Sequence, residues 1–318
     1  MSKIVDGCAF EAERIGEAMP GTAPFALGWI AIEQPGPYGR EALTESHFPR
    51  DVGAQLKARV DELSIKATLI RSAGRHADRG LLDDPRHVWV ACTQPARVML
   101  GRLTITDPAE VLDFNLAALV AGDISAVAPG ISRDDDPLLL VCSHSRRDVC
   151  CARAGRPLAL ALAADPRWQG RVWESSHIGG HRFAPTAVTL PSGWVHGRLS
   201  EDDGDRVLQA ASAGHVDLVT ARGRTSLPAQ AQVADLAVRE VCGMVDLDGT
   251  RVTPGDGPGR WRVATADFRQ FEVSVRAQTG VPRRESCNKT AAAWEQFVVD
   301  SLRELNTLSL IHISKVGS

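Results

Sequence analysis

The stretch WESSHIGGHRFAPTAV, Trp173–Val188, sets two histidines, His177 and His181, around a Gly-Gly pair. A strand, GRVWESS from Gly170, precedes them, and a hairpin, TAVTLP with GWVHGRLS, follows. Glycine takes backbone conformations closed to other residues, so Gly179 and Gly180 permit a sharp bend. The histidines therefore stand on a loop at a strand end. Upstream, PLLLVCS is a strand and CARAGRPLALALAADP a helix that Pro166 ends. Downstream, EDDGDRVLQAASAG is a helix with acidic residues in its first turn, where the helix dipole favours them. The order is β-α-β-β-β-α.

The N-terminal third predicts the same order. FALGWIAIEQ is a buried strand, and PGPYG is a turn. Pro49 and Asp51 open a helix with Val52, Leu56, Val60 and Leu63 on one face. KATLIRS, HVWVACT and RVMLGRL are strands, the last two joined by a Gln-Pro-Ala turn. Asp107-Pro108 opens a helix through Leu112, Leu116 and Leu119. Shifted by 96 positions, TQPARVMLGRL (93–103) lies over TLPSGWVHGRL (189–199), and Thr, Pro, Gly, Arg and Leu coincide. The match falls where both thirds predict a hairpin, which points to two related α/β units in tandem. Their strand and helix order is that of a thioredoxin-like fold, an analogy that says nothing about chemistry.

The domain expectation follows: a thioredoxin-like unit at 1–125, a linker by composition at 121–137, and a second unit at 137–215. A smaller α+β region occupies 216–305, with a helix at Ala229–Cys242, two strands in GPGRWRVATADFRQFEVSVRA, and a helix at Thr290–Leu305. The PGDGPG run at 254–259 lacks G-x-G-x-x-G spacing and precedes a strand, so it is a hairpin turn rather than a phosphate loop. Residues 306–318 are expected to be a tail, disordered or not native to the protein.

Composition narrows the function classes. A chain of 318 residues, 44% hydrophobic, holds a core and two or three domains. A formal net charge of -3 gives no push towards nucleic acid. No apolar run is long enough to cross a bilayer, and the start MSKIVDGCAFEAERIG has no signal core, so the expected location is cytoplasmic. Seven cysteines without an export signal argue against a disulfide framework. Scattered Cys8, Cys92, Cys242 and Cys287 are taken as ordinary buried thiols.

The remaining cysteines lie on the other crossover of the second unit. In LLLVCSHSRRDVCCARAG, Cys142 ends a strand, and Cys150 and Cys151 open a helix. The ends of parallel strands in a βαβ unit share one sheet edge, so this loop and the histidine loop should meet. Two cysteines and two histidines then converge on one site. Thiolate and neutral imidazole together suit zinc or an iron–sulfur cluster. A helix N-terminus favours thiolate, and Arg146 and Arg147 add positive charge. Cys142 to Cys151 is C-x8-C, wide for a zinc finger, and the chain has no C-x-x-C redox pair. A thiol enzyme using Cys150 or Cys151 stays open as a third reading.

VCSHSRRDVCCARAG followed by WESSHIGGHRFAPTAVTLPSGWVHGRL resembles the sucrase/ferredoxin-like family. WIAIEQPGPYGREAL and RGRTSLPAQAQVADLAVRE extend the resemblance over most of residues 8–242. It implies a thioredoxin-like ferredoxin whose 2Fe–2S cluster is held by two Cys and two His. By position the ligands fall on Cys142, Cys151, His177 and His181, with Cys150 as a substitute for Cys151. His144 falls to a supporting or surface position. Asp148 and Arg182 are candidates to orient the ligands. A metal-bound histidine donates its other N–H to an acceptor, a part Asp148 fits and Arg182 does not. No carboxylate pair stands out as a glycosidase acid and nucleophile, so the sucrase half of the name has no support. With no second cluster motif and no nicotinamide or flavin fingerprint, an electron carrier is expected rather than a complete reductase. It would take electrons from an unidentified donor, such as a flavin reductase, and pass them to an unidentified acceptor. The alternative is a zinc-binding structural or regulatory protein with the same four ligands.

Overall fold

Residues 6–74 and 85–305 are described by a computed structural model. Its main body is one ten-stranded mixed sheet. The strands are β1 Gly28–Glu33, β2 Ile65–Ser72, β3 Arg86–Cys92, β4 Met99–Ile105 and β5 Ser132–Arg133, then β6 Leu138–Cys142, β7 Val172–Ser175, β8 Ala187–Leu190, β9 Trp194–His196 and β10 Ala221–Arg224. They lie in the order β10-β9-β8-β6-β7-β2-β1-β3-β4-β5. In each half two parallel strands, β1 with β2 and β6 with β7, are followed by an antiparallel hairpin, β3–β4 and β8–β9, added beside the first strand. The halves meet antiparallel at β2 and β7, where Ile70 pairs with Ser175 and Arg71 with Glu174.

Strand β6 shows why the sheet is buried on both faces. Its side chains alternate, as the period of two requires. Leu138, Leu140 and Cys142 join a core with Trp29, Ile70, Trp173 and Val188. Leu139 and Val141 pack instead with Leu158 and Leu162 of helix α5, Val149–Ala163, and with Val207 and Leu208 of α6, Glu201–Ser212. Helix α3, Arg50–Glu62, which follows the single turn α2, Ala42–Glu45, covers the other half, burying Leu56 and Val60 against Ile30, Ile32 and Leu69. Each aliphatic side chain so buried contributes about 1.5–3 kcal/mol.

The predicted helix from Asp107 is broken. Its first part, Pro108–Asp113, is a 3₁₀ turn capped by Asp107 and Glu110, and α4 runs over Leu116–Ala121. Phe114 between them is extended, with ψ 132°. The 121–137 linker carries Ile124 and Val127 into the core and supplies β5. Ser200 and Asp203 form a capping box at α6, as its acidic first turn suggests.

The C-terminal region is α7, Ala229–Cys242, on a four-stranded antiparallel sheet: β11 Thr250–Pro254, β12 Arg260–Thr265, β13 Gln270–Arg284 and β14 Ala291–Glu304. The PGDGPG run is the turn between β11 and β12. The helix predicted at Thr290–Leu305 is instead β14. The alanines and charged residues there favour a helix locally, yet the segment pairs along β13 from Phe271↔Glu304 to Arg284↔Ala291. Long pairing of backbone groups outweighs a propensity difference of a few tenths of a kcal/mol per residue. The β13–β14 hairpin reaches back to the start of α5, beside α1, Cys8–Arg14. The tail reading for 306–318 lies outside the described residues.

Candidate metal centre

Helix α5 brings its first turn over the end of β6. Asp148 is the N-cap, its carboxylate accepting from the Cys150 N–H at 2.9 Å, a contact worth about 1 kcal/mol. Gly155, one turn in, permits the close approach: a Cβ there would lie 2.0 Å from the Cys142 carbonyl oxygen. The sulfurs of Cys142 and Cys151 and a ring nitrogen of His177 consequently gather within 4.8 Å of one another. Both thiols are 1% exposed.

His181 lies outside that trio, with its ring 5.4 Å from that of His177. The loop between them bends at Gly179 and Gly180, with φ 102° and 74°. Nδ1 of His177 and Nδ1 of His181 are both buried with no hydrogen-bond partner among the described residues. Nε2 of His181 faces the Glu285 carbonyl at 2.7 Å and donates to it, which leaves Nδ1 the bare lone pair. Burial holds the His181 pKa below its usual value, against the pull of Asp148. The acceptor expected of Asp148 is therefore supplied chiefly by Glu285, with Asp148 Oδ2 at 3.8 Å. Arg182 pairs with buried Glu17 at 2.6 Å and orients the loop rather than a ligand.

His144 is buried. Its Nε2 meets the Gly39 carbonyl at 2.8 Å, and its Nδ1 accepts the His177 N–H at 3.1 Å, which fixes the backbone at His177. Arg146 and Arg147 stay on the surface, Arg147 paired with Glu41 at 2.5 Å. The buried cation is one the sequence did not suggest. Arg222 donates to the Gly179 carbonyl at 3.0 Å and to Thr22, and lies over Phe183. Burial lowers its pKa to about 9, and the charges of Cys142 and Cys151 act to raise it. The thiol pair shares a proton: a hydrogen bond from Cys151 holds the Cys142 thiol well below its usual value, while Cys151 is pushed up.

A family model described as sucrase/ferredoxin-like matches residues 19–223. The chain belongs to the sucrase/ferredoxin-like family. The match spans the whole of β1 to β9, and so both crossovers of this sucrase/ferredoxin-like chain that carry the thiols and histidines. Searches of curated proteins and of solved structures return no match. Among the described residues no helix is long and apolar enough to cross a membrane.

Sequence reasoning missed a second group. Cys8, Asp148, Cys150 and Cys287 also converge within 4.8 Å. Cys150 belongs here and not with Cys142, because successive helical residues point about 100° apart. Cys8 and Cys287 are 142 and 137 positions from it, so nothing local announces them.

Proposed function

We propose that the protein is an electron carrier holding a 2Fe–2S cluster on Cys142, Cys151, His177 and His181, in the second of two thioredoxin-like units. The observation that carries this reading is the Cys142, Cys151 and His177 trio, with a buried, unpartnered Nδ1 on His177 and another on neighbouring His181. Buried polar atoms left bare cost free energy and call for a ligand. Thiolate and imidazole are the donors such a cluster takes, and when bound it accepts and returns one electron.

The chain's own residues do the rest. Glu285 and His144 set the orientation of the two histidines. Two neutral imidazoles bring less negative charge than two thiolates would, and buried Arg222 adds a positive charge facing the site. Both favour a potential in the range of about −150 to +300 mV rather than about −400 mV. Trp29, Ile70 and Trp173 keep water from the Cys142 side. A cavity of about 240 Å³, whose lining includes Arg40, Lys66, the paired Arg147 and Glu41, Asp61 and His177, gives access to the His177 edge. Electrons would come from a donor, such as a flavin reductase, and pass to an acceptor, each docking near that edge. The N-terminal unit has no matching ligands and serves as cover.

The test is the visible spectrum of protein purified without oxygen, with iron and sulfide assays. About two irons and two sulfides per chain, bleached on reduction and lost in Cys142→Ser and His177→Ala, are expected. Zinc alone at these residues would turn the reading to a structural or regulatory protein. A site that holds neither after reconstitution refutes both.

A further inference from the structure

The Cys8, Cys150, Cys287 and Asp148 group has the dimensions of a mononuclear metal site. The three sulfurs form a triangle: Cys8 to Cys150 is 3.8 Å, Cys150 to Cys287 is 3.4 Å and Cys287 to Cys8 is 3.7 Å. The Asp148 carboxylate stands 3.6 Å from Cys8 Sγ and 3.2 Å from Cys287 Sγ. With zinc–sulfur bonds of about 2.3 Å and zinc–oxygen bonds of about 2.0–2.2 Å, a tetrahedron has S–S edges of about 3.8 Å and S–O edges of about 3.6 Å. The observed edges lie within a few tenths of an ångström of these.

Polar groups surround the three sulfurs and the carboxylate. The Cys8 N–H points at Cys287 Sγ at 3.5 Å. The Arg284 guanidinium lies close enough to feel the charge of Cys287 and Cys8. Asp148 is steadied by the N–H groups of Cys150 and Cys287, both at 2.9 Å, and by the Ser286 hydroxyl at 3.0 Å. Gly7, at φ 100°, makes room: a Cβ there would lie 2.9 Å from Cys150 Sγ.

We propose that Cys8, Cys150, Cys287 and Asp148 bind a single zinc ion, a second metal site separate from the Cys142, Cys151, His177 and His181 set. The donor set and tetrahedral dimensions suit a closed structural zinc site. The ion would join three segments far apart in the chain: the start of α1, the start of α5 and the tip of the β13–β14 hairpin. The tip also carries Glu285, whose carbonyl holds His181, so the zinc fixes the orientation of a residue in the first site. The four donors would hold zinc whatever the first site binds.

The experiment measures zinc, iron and sulfide per chain in full-length protein purified without oxygen, as wild type, Cys8→Ser, Cys287→Ser and Cys142→Ser. Wild type should carry about one zinc, falling at least about fivefold in Cys8→Ser and Cys287→Ser. Cys142→Ser should keep its zinc while losing iron. If a serine variant does not fold, cobalt supplied to wild type during expression should replace the zinc and give the absorption of a tetrahedral thiolate site. Zinc lost with Cys287→Ser from a protein that never held iron would overturn the cluster and leave this site standing. Wild type without zinc or cobalt absorption, zinc that follows Cys142 instead of Cys287, or a Cys150–Cys287 disulfide would overturn the zinc site.

Discussion

Replacing Gly155 with alanine tests how α5 holds the thiols together. An added Cβ would sit 2.0 Å from the Cys142 carbonyl oxygen, where such contacts are essentially never shorter than 3.0 Å. Helix or strand must give by about 1 Å, while metal–ligand distances tolerate about 0.2 Å. The moving pieces are the ones that carry the proposed ligands: Cys142 itself, and Cys151, one turn from residue 155 on the same helix face. Overpacking costs about 1–3 kcal/mol, and alanine returns up to about 1 kcal/mol of helix propensity, so the fold should survive with a modest loss. The metal should not. Gly155→Ala is expected to keep its far-UV circular dichroism and to lose most metal from the Cys142 site, read as metal per chain and visible absorption. Unchanged metal content with an unchanged melting temperature would refute the account of this contact.

Two further predictions concern buried charge. Glu174 is fully buried between Arg71, at 2.7 Å, and Ser143, at 2.8 Å, on the seam of the halves. Glu174→Gln leaves the Arg71 cation without its charge partner and should cost about 3–5 kcal/mol by denaturant unfolding. Burial pushes the Glu174 carboxyl up, but the Arg71 charge and the hydrogen bonds around it outweigh that and hold it below its usual value. Its stabilisation is thus complete above the unfolded pKa of about 4.3 and is lost as pH falls through the lower folded value; an acid limb unchanged in the variant would contradict this. His196 is buried against Thr220, and burial lowers its pKa to about 4. The unfolded chain binds the proton more readily, so stability should fall by about 3 kcal/mol between about pH 6.5 and pH 4, a slope that His196→Gln should flatten in melts across that range.

Most of the main sheet was legible because its signals are local. The strand runs of β3, β4 and β6, the acidic first turn of α6 and the Pro166 stop each act within a few residues. The 96-residue echo placed two equivalent hairpins, β3–β4 and β8–β9, which occupy matching positions in the two halves. The Thr290–Leu305 segment failed for the opposite reason. Its local preference is helical, and its state is set by β13, an edge that needed a partner.

The sequence by itself determined the family, the two crossovers, and that the thiol loop and the histidine loop lie at one edge, because parallel strand ends must share a sheet edge. Tertiary structure alone decided what surrounds them. Which of two adjacent cysteines faces which site follows from the turn of α5. That Glu285 holds His181, that Arg222 lies buried beside the thiols, and that Cys8 and Cys287 close on Cys150 all depend on packing between segments far apart in the chain. No periodicity or spacing carries such contacts. They arise when the β13–β14 hairpin and α1 fold over the start of one helix.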